Sequence, residues 1–307
     1  MQSNEPAERP PQLSYFLLVT TCLCWGFSYP ATAIMLRGID IWSSRFLIIA
    51  VSAVILLGLG RLQGATLSVP RAHWPDLVIA ALCNIAIFQI CMTYGIQLLS
   101  AGRTSVIIYT MPLWASIFAV FILGEKLTRP RMAALGLGLV GLVVLIGQDL
   151  SHLRNAPLGA GLTLLAAVTF GLGTVWMKKR AWQNNVTVLA GWQLAIAAVP
   201  VGLIWGFNWG FGGLELNIAA ISTESRLAIV YQILIANVLA YFAWFRVVAA
   251  FPASVTGIGA MAVPLVGVLA SAAILGEAIG VNEWIALALI VGALGINLAS
   301  TLKKPAG

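Results

Sequence analysis

Apolar runs alternate with short polar breaks along the whole chain, and each run is about the length needed to cross a bilayer, roughly 20 residues. Ten such runs are legible. They cover about Leu13 to Leu36, Trp42 to Gly60, Asp76 to Leu99, Thr104 to Leu123, Met132 to Gly147, Leu158 to Met177, Val186 to Phe207, Arg226 to Ala250, Ser254 to Leu275 and Asn282 to Thr301. Several breaks are only a few residues long, as at Ser100 to Arg103 and Phe251 to Ala253, so they serve as tight helix-to-helix turns. The polar, Pro-rich stretch before the first run lacks a basic-then-apolar layout with a cleavage site, and reads as a disordered cytoplasmic tail over residues 1–12.

The pattern also repeats. Pro112 to Glu125 reads PLWASIFAVFILGE, and Pro264 to Glu277 reads PLVGVLASAAILGE, at an offset of 152 residues throughout. A weaker echo pairs Trp25-Gly26-Phe27-Ser28 with Phe170-Gly171-Leu172-Gly173. A chain of 307 residues that repeats at about half its length is a duplication. The expected fold class is an all-α polytopic membrane protein: ten transmembrane helices in two five-helix repeats, residues 13–150 and 151–302.

Composition supports a lipid-facing chain. It is 60% hydrophobic and 9% charged, with a mean hydropathy of +0.96. Soluble domains carry about 25% charged residues. The net charge of +7 does not imply nucleic acid, because the positives sit at the ends of apolar runs rather than in a patch interleaved with aromatics.

Those positives give an orientation instead, since Lys and Arg favour the cytoplasmic side. With the N-terminus inside, the inner segments hold Arg9, Arg61, Arg71, Lys126, Arg129, Arg131, Lys178, Lys179, Arg180, Arg246, Lys303 and Lys304. The outer ones hold Arg37, Arg45, Arg103, Arg154 and Arg226. Five spans per repeat place the two repeats in opposite orientations, and equivalent loops do differ in charge. KLTRPR follows Glu125, whereas AIGVNE follows Glu277. This is the inverted-repeat plan of secondary transporters. The expected location is a bacterial inner membrane, with both termini cytoplasmic.

Charged chemistry is scarce at membrane depth. Asp40, Asp76, Asp149 and Glu283 fall at run ends, and His73 and His152 fall in loops. Glu125 and Glu277 end their runs; proton coupling is one reading, and a structural role at the helix end is the better one. Pro112 and Pro264 should kink their helices, beside a cavity or for packing alone. Cys22, Cys24, Cys83 and Cys91 lie inside apolar runs without His or carboxylate neighbours and read as buried thiols, not a metal site. Gly136, Gly138 and Gly141 in span five, with Gly292 and Gly295 in span ten, suit close helix packing and a scaffold role. No hydrolase, zincin or P-loop motif is present, so neither an enzyme nor a cofactor is expected.

Uncharged polar and aromatic residues fill the gap. Trp25, Ser28 and Tyr29 lie in span one, Tyr109 in span four and Trp176 in span six. Asn237, Tyr241 and Trp244 share a face of span eight, and Asn84, Phe88 and Cys91 occupy nearly equivalent places in span three. Asn84 and Asn237 suit either a cavity wall or hydrogen bonds between helices. Gln89, Thr93 and Gln97 make a second stripe on span three that is equally placed to face a cavity. Trp42, Trp182, Trp192, Trp209 and Trp284 read as interfacial anchors.

The ten spans, Trp25-Gly26 and the two Pro…Leu-Gly-Glu segments resemble the drug/metabolite transporter superfamily in its EamA-type branch. Within it the chain is similar to bacterial aromatic amino acid exporters. The resemblance implies a central cavity lined by spans one, three, four, six, eight and nine, with spans five and ten behind, and alternating exposure of substrate. It departs at Phe170, where the second half lacks the Trp. The function expected is export of small organic solutes, amino acids including aromatic ones foremost. The alternatives are a multidrug or other metabolite exporter and, less well supported, a scaffold or membrane enzyme. The expected partners are an amino-acid substrate and the lipid bilayer, with no nucleic acid and a monomeric chain.

Overall fold

The computed structural model describes residues 12–108, 110–126, 128–147, 157–211, 221–251, 259–260 and 262–302, and all regular structure among them is helical. The expected tail before Gln12, Tyr109, Arg154 and the first residues of span nine lie outside the described residues.

Eleven helices carry the described chain. They are α1 (Gln12–Met35), α2 (Ile41–Leu62), α3 (Arg71–Leu98), α4 (Ala101–Ile108), α5 (Met111–Leu123), α6 (Arg129–Gly147), α7 (Pro157–Lys178), α8 (Val186–Phe211), α9 (Thr223–Ala250), α10 (Ala262–Leu275) and α11 (Val281–Leu302). Six of them, α1, α2, α3, α7, α8 and α9, are long and apolar enough to cross a membrane, and α5, α6, α10 and α11 contain shorter apolar stretches. Span four, expected to be one helix, is divided between α4 and α5.

Local chemistry sets the ends. The Asp40 carboxylate accepts from the Ser43 N–H and starts α2, and the Ser222 hydroxyl does the same for Ser225 in α9. The Gly of each repeated Leu-Gly-Glu closes its helix. Gly124 and Gly276 have φ of 66° and 72°, a left-handed conformation that is inexpensive only for glycine. The Pro of each repeat does not bend a mid-helix, as the sequence reading expected. Pro112 stands in the first turn of α5 and Pro264 in the first turn of α10, where the missing N–H has no intrahelical partner to lose. The prolines inside long helices are Pro30 and Pro200.

Two helices change pitch midway. α3 widens into a π-helical stretch over Leu82–Ile87, and α9 does so over Gln232–Leu239. These are the third helix of the first half and its counterpart in the second. A π turn inserts residues without breaking the helix and redirects the side chains beyond it.

Helix packing follows a reciprocal pattern. α1 packs on α10 and α9, while α7 packs on α5 and α3; α2 pairs with α8, and α6 pairs with α11. The echoed glycines allow two close approaches. A Cβ on Gly26 would lie 2.4 Å from Val266 of α10, and one on Gly171 would lie 2.9 Å from the Ala115 nitrogen of α5. Each brings the first helix of one half against the repeated Pro-to-Glu helix of the other.

The distribution of polarity is that of a protein in lipid. Phe16, Val54, Leu62, Phe121 and Leu203 are exposed, while Thr32, Ser44, Arg45, Ser52, Asn84, Thr93 and Gln193 are buried. Arg45 corrects the charge reading: it is not an outer flanking residue but a member of α2, 1% exposed in the interior.

Candidate functional site

The interior polar groups gather where α1, α2, α3 and α9 meet. The π stretch of α9 accounts for much of this. Widening the helix changes which N–H each carbonyl meets, and three of its carbonyls accept from side chains. Gln232 O accepts from Asn237 Nδ2 at 2.7 Å, Ile233 O from Ser52 Oγ at 3.3 Å, and Ala236 O from Trp25 Nε1 at 3.1 Å. The Gln232 amide in turn donates to Ser28 O and Thr32 Oγ1, both at 2.8 Å. α1 is thereby stitched to α9 through the echo residue Trp25 and its neighbours.

From Asn237 the network crosses to α3 and α2. Gln89 Nε2 donates to Asn237 Oδ1 at 2.8 Å, and Arg45 Nη1 donates to Gln89 Oε1 at 3.2 Å. Arg45 Nη2 reaches Met35 Sδ at 3.8 Å, and Arg45 Nε has no partner among the described residues.

A cavity sits against this network. Trp25, Ser28, Tyr29, Arg45, Phe88, Gln89, Met92, Met111, Phe170, Gln232, Ala236, Asn237 and Tyr241 line it. Its wall toward α7 is aromatic: the Trp25 ring meets Phe170 edge-on at 5.9 Å and Tyr241 at 5.7 Å, and Phe88 lies 4.7 Å from Phe170. Its free volume is about 30 Å³, room for one or two waters. A solute of amino-acid size enters only if the surrounding helices move.

A larger space of about 500 Å³ opens at one end of the molecule, lined by Leu123, Glu125, Lys178, Arg180, Phe245 and their neighbours. Tyr241 faces the cavity and Phe245 faces this vestibule, and their rings stack at 6.0 Å. One turn of α9 therefore separates the two. At the vestibule rim Arg180 pairs with Asp76, Nε to Oδ2 at 2.6 Å, and Trp176 Nε1 donates to Asp76 Oδ1 at 3.0 Å. Away from the vestibule, two contacts join the halves. Glu277 Oε2 accepts from the Gly102 N–H at 3.1 Å, and Ser225 Oγ donates to Ile34 O at 3.0 Å.

The candidates from sequence fall into distinct places. Trp25, Ser28, Tyr29, Phe88, Asn237 and Tyr241 face the cavity. Trp244 backs its aromatic wall, 5.0 Å from Trp25 and 5.9 Å from Phe170. Asn84 stands behind it, donating to Gln193 Oε1 at 3.3 Å and accepting from Thr174 Oγ1 at 3.5 Å. It links α3 to α8 and α7. Trp176 belongs to the vestibule rim, and Tyr109 lies outside the described residues. Glu277 binds the N-terminus of α4, in the other half. Trp192, expected at the lipid interface, is half-buried, donates to Leu67 O in the segment between α2 and α3, and packs edge-on to Trp74. Arg45 and Gln193 are the functional-looking residues that the sequence reading missed. Arg45 already lay within the bounds of span two, and a charge inside a span is itself a signal.

A bundle of apolar-faced helices around a small polar and aromatic centre, with a vestibule at one end, defines a class: membrane transporters rather than soluble binding proteins. The EamA-like transporter family's model matches the chain twice, at residues 12–147 and 157–299, and the chain belongs to that family of multi-pass membrane proteins. It is 28% identical to the uncharacterized transporter YvbV of Bacillus subtilis, over 97% of this chain and 95% of that one. It is 23% identical to a probable amino-acid metabolite efflux pump of Salmonella typhimurium, over 92% and 94% of the two chains. A solved structure covering 94% of this chain and 99% of its own superposes with a TM-score of 0.74 at 20% identity, a likeness of fold alone.

Proposed function

We propose that the protein is a secondary transporter of a bacterial inner membrane that exports amino acids, aromatic ones among them, by alternating access. The carrying observation is the cavity itself: indole, phenyl and phenol rings on one side, amides and a guanidinium on the other. Rings suit an apolar side chain, and the polar groups suit the ends of a zwitterion. The relative named as an amino-acid metabolite efflux pump supports the same substrate class.

The ten expected spans in two inverted halves are part of this reading. The reciprocal helix packing, the paired π stretches and the twofold match of the family's model support it. So does the placement of α6 and α11 against each other, which keeps both out of a cavity lined from α1, α2, α3, α5, α7 and α9. The vestibule lies at the end that carries Lys178 and Arg180, so by the positive-inside rule it faces the cytoplasm, where both termini are placed. Substrate would enter there and leave past the Gly102–Glu277 contact once the halves rock. Among the described residues no carboxylate lines the cavity, which favours facilitative export down the solute's own gradient over proton-coupled export, and a pH gradient separates the two.

The test is flux of labelled Phe, Trp and Thr in proteoliposomes, with and without a pH gradient. Flux that saturates and is insensitive to the gradient is expected. Absence of flux for every amino acid, with competition by unrelated organic cations, would replace this reading by a multidrug exporter.

A further inference from the structure

We infer that Arg45 is the anchor for a carboxylate, so that the cavity selects solutes carrying a carboxylate beside an apolar or aromatic body and rejects amines that lack one. This deepens the transporter reading, and it rests on the cavity being the place where substrate binds.

Arg45 is 1% exposed, and its neighbours are neutral. Nη1 meets an amide oxygen, Nη2 meets a thioether sulfur, and Nε meets nothing among the described residues. A buried guanidinium carries five N–H donors and is costly to leave without an anion. Among the described residues, the carboxylates that could neutralise it are engaged elsewhere or lie outside the cavity lining. Asp40, five residues away in sequence, caps α2 by accepting from Ser43. Asp76 pairs with Arg180, Glu277 binds Gly102, and Glu125 lines the vestibule. Glu224 lies in the first turn of α9. None of the cavity-lining residues is acidic.

The surroundings hold the guanidinium in place without satisfying it. Gln89 is fixed by its bond to Asn237, so its oxygen points at Arg45, and Asn237 is fixed by Gln232 O. That chain of amides orients one donor and leaves the rest of the fork for a ligand. A carboxylate matches the fork with two parallel N–H···O bonds, whereas an ammonium group would be repelled. Trp25, Phe170 and Tyr241 stand on the facing wall and take the apolar body of the same molecule.

The experiment uses the full-length protein in detergent and in proteoliposomes, with three probes that share one ring: phenylalanine, phenylacetate and phenethylamine. Binding is read by thermal stabilisation and by competition with labelled phenylalanine or, where phenylalanine is not taken, labelled phenylacetate. Phenylalanine and phenylacetate are expected to bind, and phenethylamine at least about 10-fold more weakly. Arg45→Gln should weaken both acids by about 10- to 100-fold, the size of a lost charge-assisted contact, and should remove the preference over the amine. Arg45→Lys should retain part of the acid affinity, and the wild-type probe series stands by itself if neither variant folds. Equal binding of phenethylamine and the acids to the wild type overturns the inference, as does unchanged acid affinity in a folded Arg45→Gln protein. Arg45-dependent binding of phenylacetate without phenylalanine transport upholds the anchor and removes the amino-acid reading. Phenylalanine transport that is indifferent to Arg45→Gln does the reverse, and no binding by any probe removes both.

Discussion

Asn84 and Asn237 occupy matching places in the two halves, yet the structure gives them different work, and Asn84→Ala tests that difference. Asn84 is 1% exposed and joins three helices: its Nδ2 donates to Gln193 of α8 at 3.3 Å, and its Oδ1 accepts from Thr174 of α7 at 3.5 Å. Truncation leaves Gln193, which is 0% exposed and whose Nε2 already lacks a partner among the described residues, with neither end satisfied. Hydrogen bonds between helices in a bilayer contribute about 0.6 kcal/mol on average and up to about 1.7. Two of them, neither short, together with the small void beside Gly173, put the cost at about 1–3 kcal/mol. The assay is thermal unfolding in detergent, for the single variants Asn84→Ala and Gln193→Ala and for the double. Because removing both partners is far less costly than stranding one, the double variant should cost less than the two singles together, with a coupling of about 0.5–1.5 kcal/mol. Flux should fall only as far as folded protein is lost. A coupling below about 0.3 kcal/mol, or a full loss of transport in a stable Asn84→Ala protein, would refute the assignment and return Asn84 to the cavity wall.

Other substitutions probe the remaining parts. Asn237→Ala strands Gln89 Nε2 and Gln232 O at once and is expected to lower flux at least about 10-fold, at a stability cost of about 1–3 kcal/mol; normal flux in proteoliposomes would remove Asn237 from the site. Trp25→Phe keeps the ring wall but loses the bond to Ala236 O, so it should retain more transport than Trp25→Ala, as labelled-substrate efflux would register. Gly26→Leu and Gly171→Leu drive a side chain into Val266 and into the α5 backbone, and each should lower thermal stability by about 1–3 kcal/mol; tolerance of either would mean that the helices are not in contact there. Glu277→Gln keeps an oxygen for the Gly102 N–H while Glu277→Ala does not, so only the Ala variant should lose about 1 kcal/mol in the same melt.

How much of this was legible in the sequence differs by feature, for physical reasons. The apolar runs and the duplicated Pro-to-Glu segment were plain, because lipid exposure forces long apolar runs and a duplication preserves residue order. The Gly of each repeat could be read as a helix end, since a left-handed residue there favours glycine. The proline beside it misled. Proline bends a helix interior but suits a first turn, and the sequence does not show that a turn at Thr110 precedes it, so that Pro112 begins a helix rather than bending one. Arg45 was misplaced because charges near a span's end ordinarily belong to the interface. Its direction depends on where α2 starts, and the Asp40 cap fixes that start only one turn earlier.

The two polar stripes of span three could not be ranked from sequence, and the π stretch shows why the question was badly posed. In an unbroken α-helix residues 84 and 89 lie about 140° apart, so only one of Asn84 and Gln89 should turn inward. The wider turns over Leu82–Ile87 close part of that angle. Asn84 then meets α8 and α7, while Gln89 meets Arg45 and Asn237. The matching stretch in α9 does the same for Gln232 and Asn237, and it offers its carbonyls to Trp25 and Ser52. Nothing in the composition of either stretch marks it as π-helical. The wide turns are held by partners on other helices, so they exist only once the fold has formed.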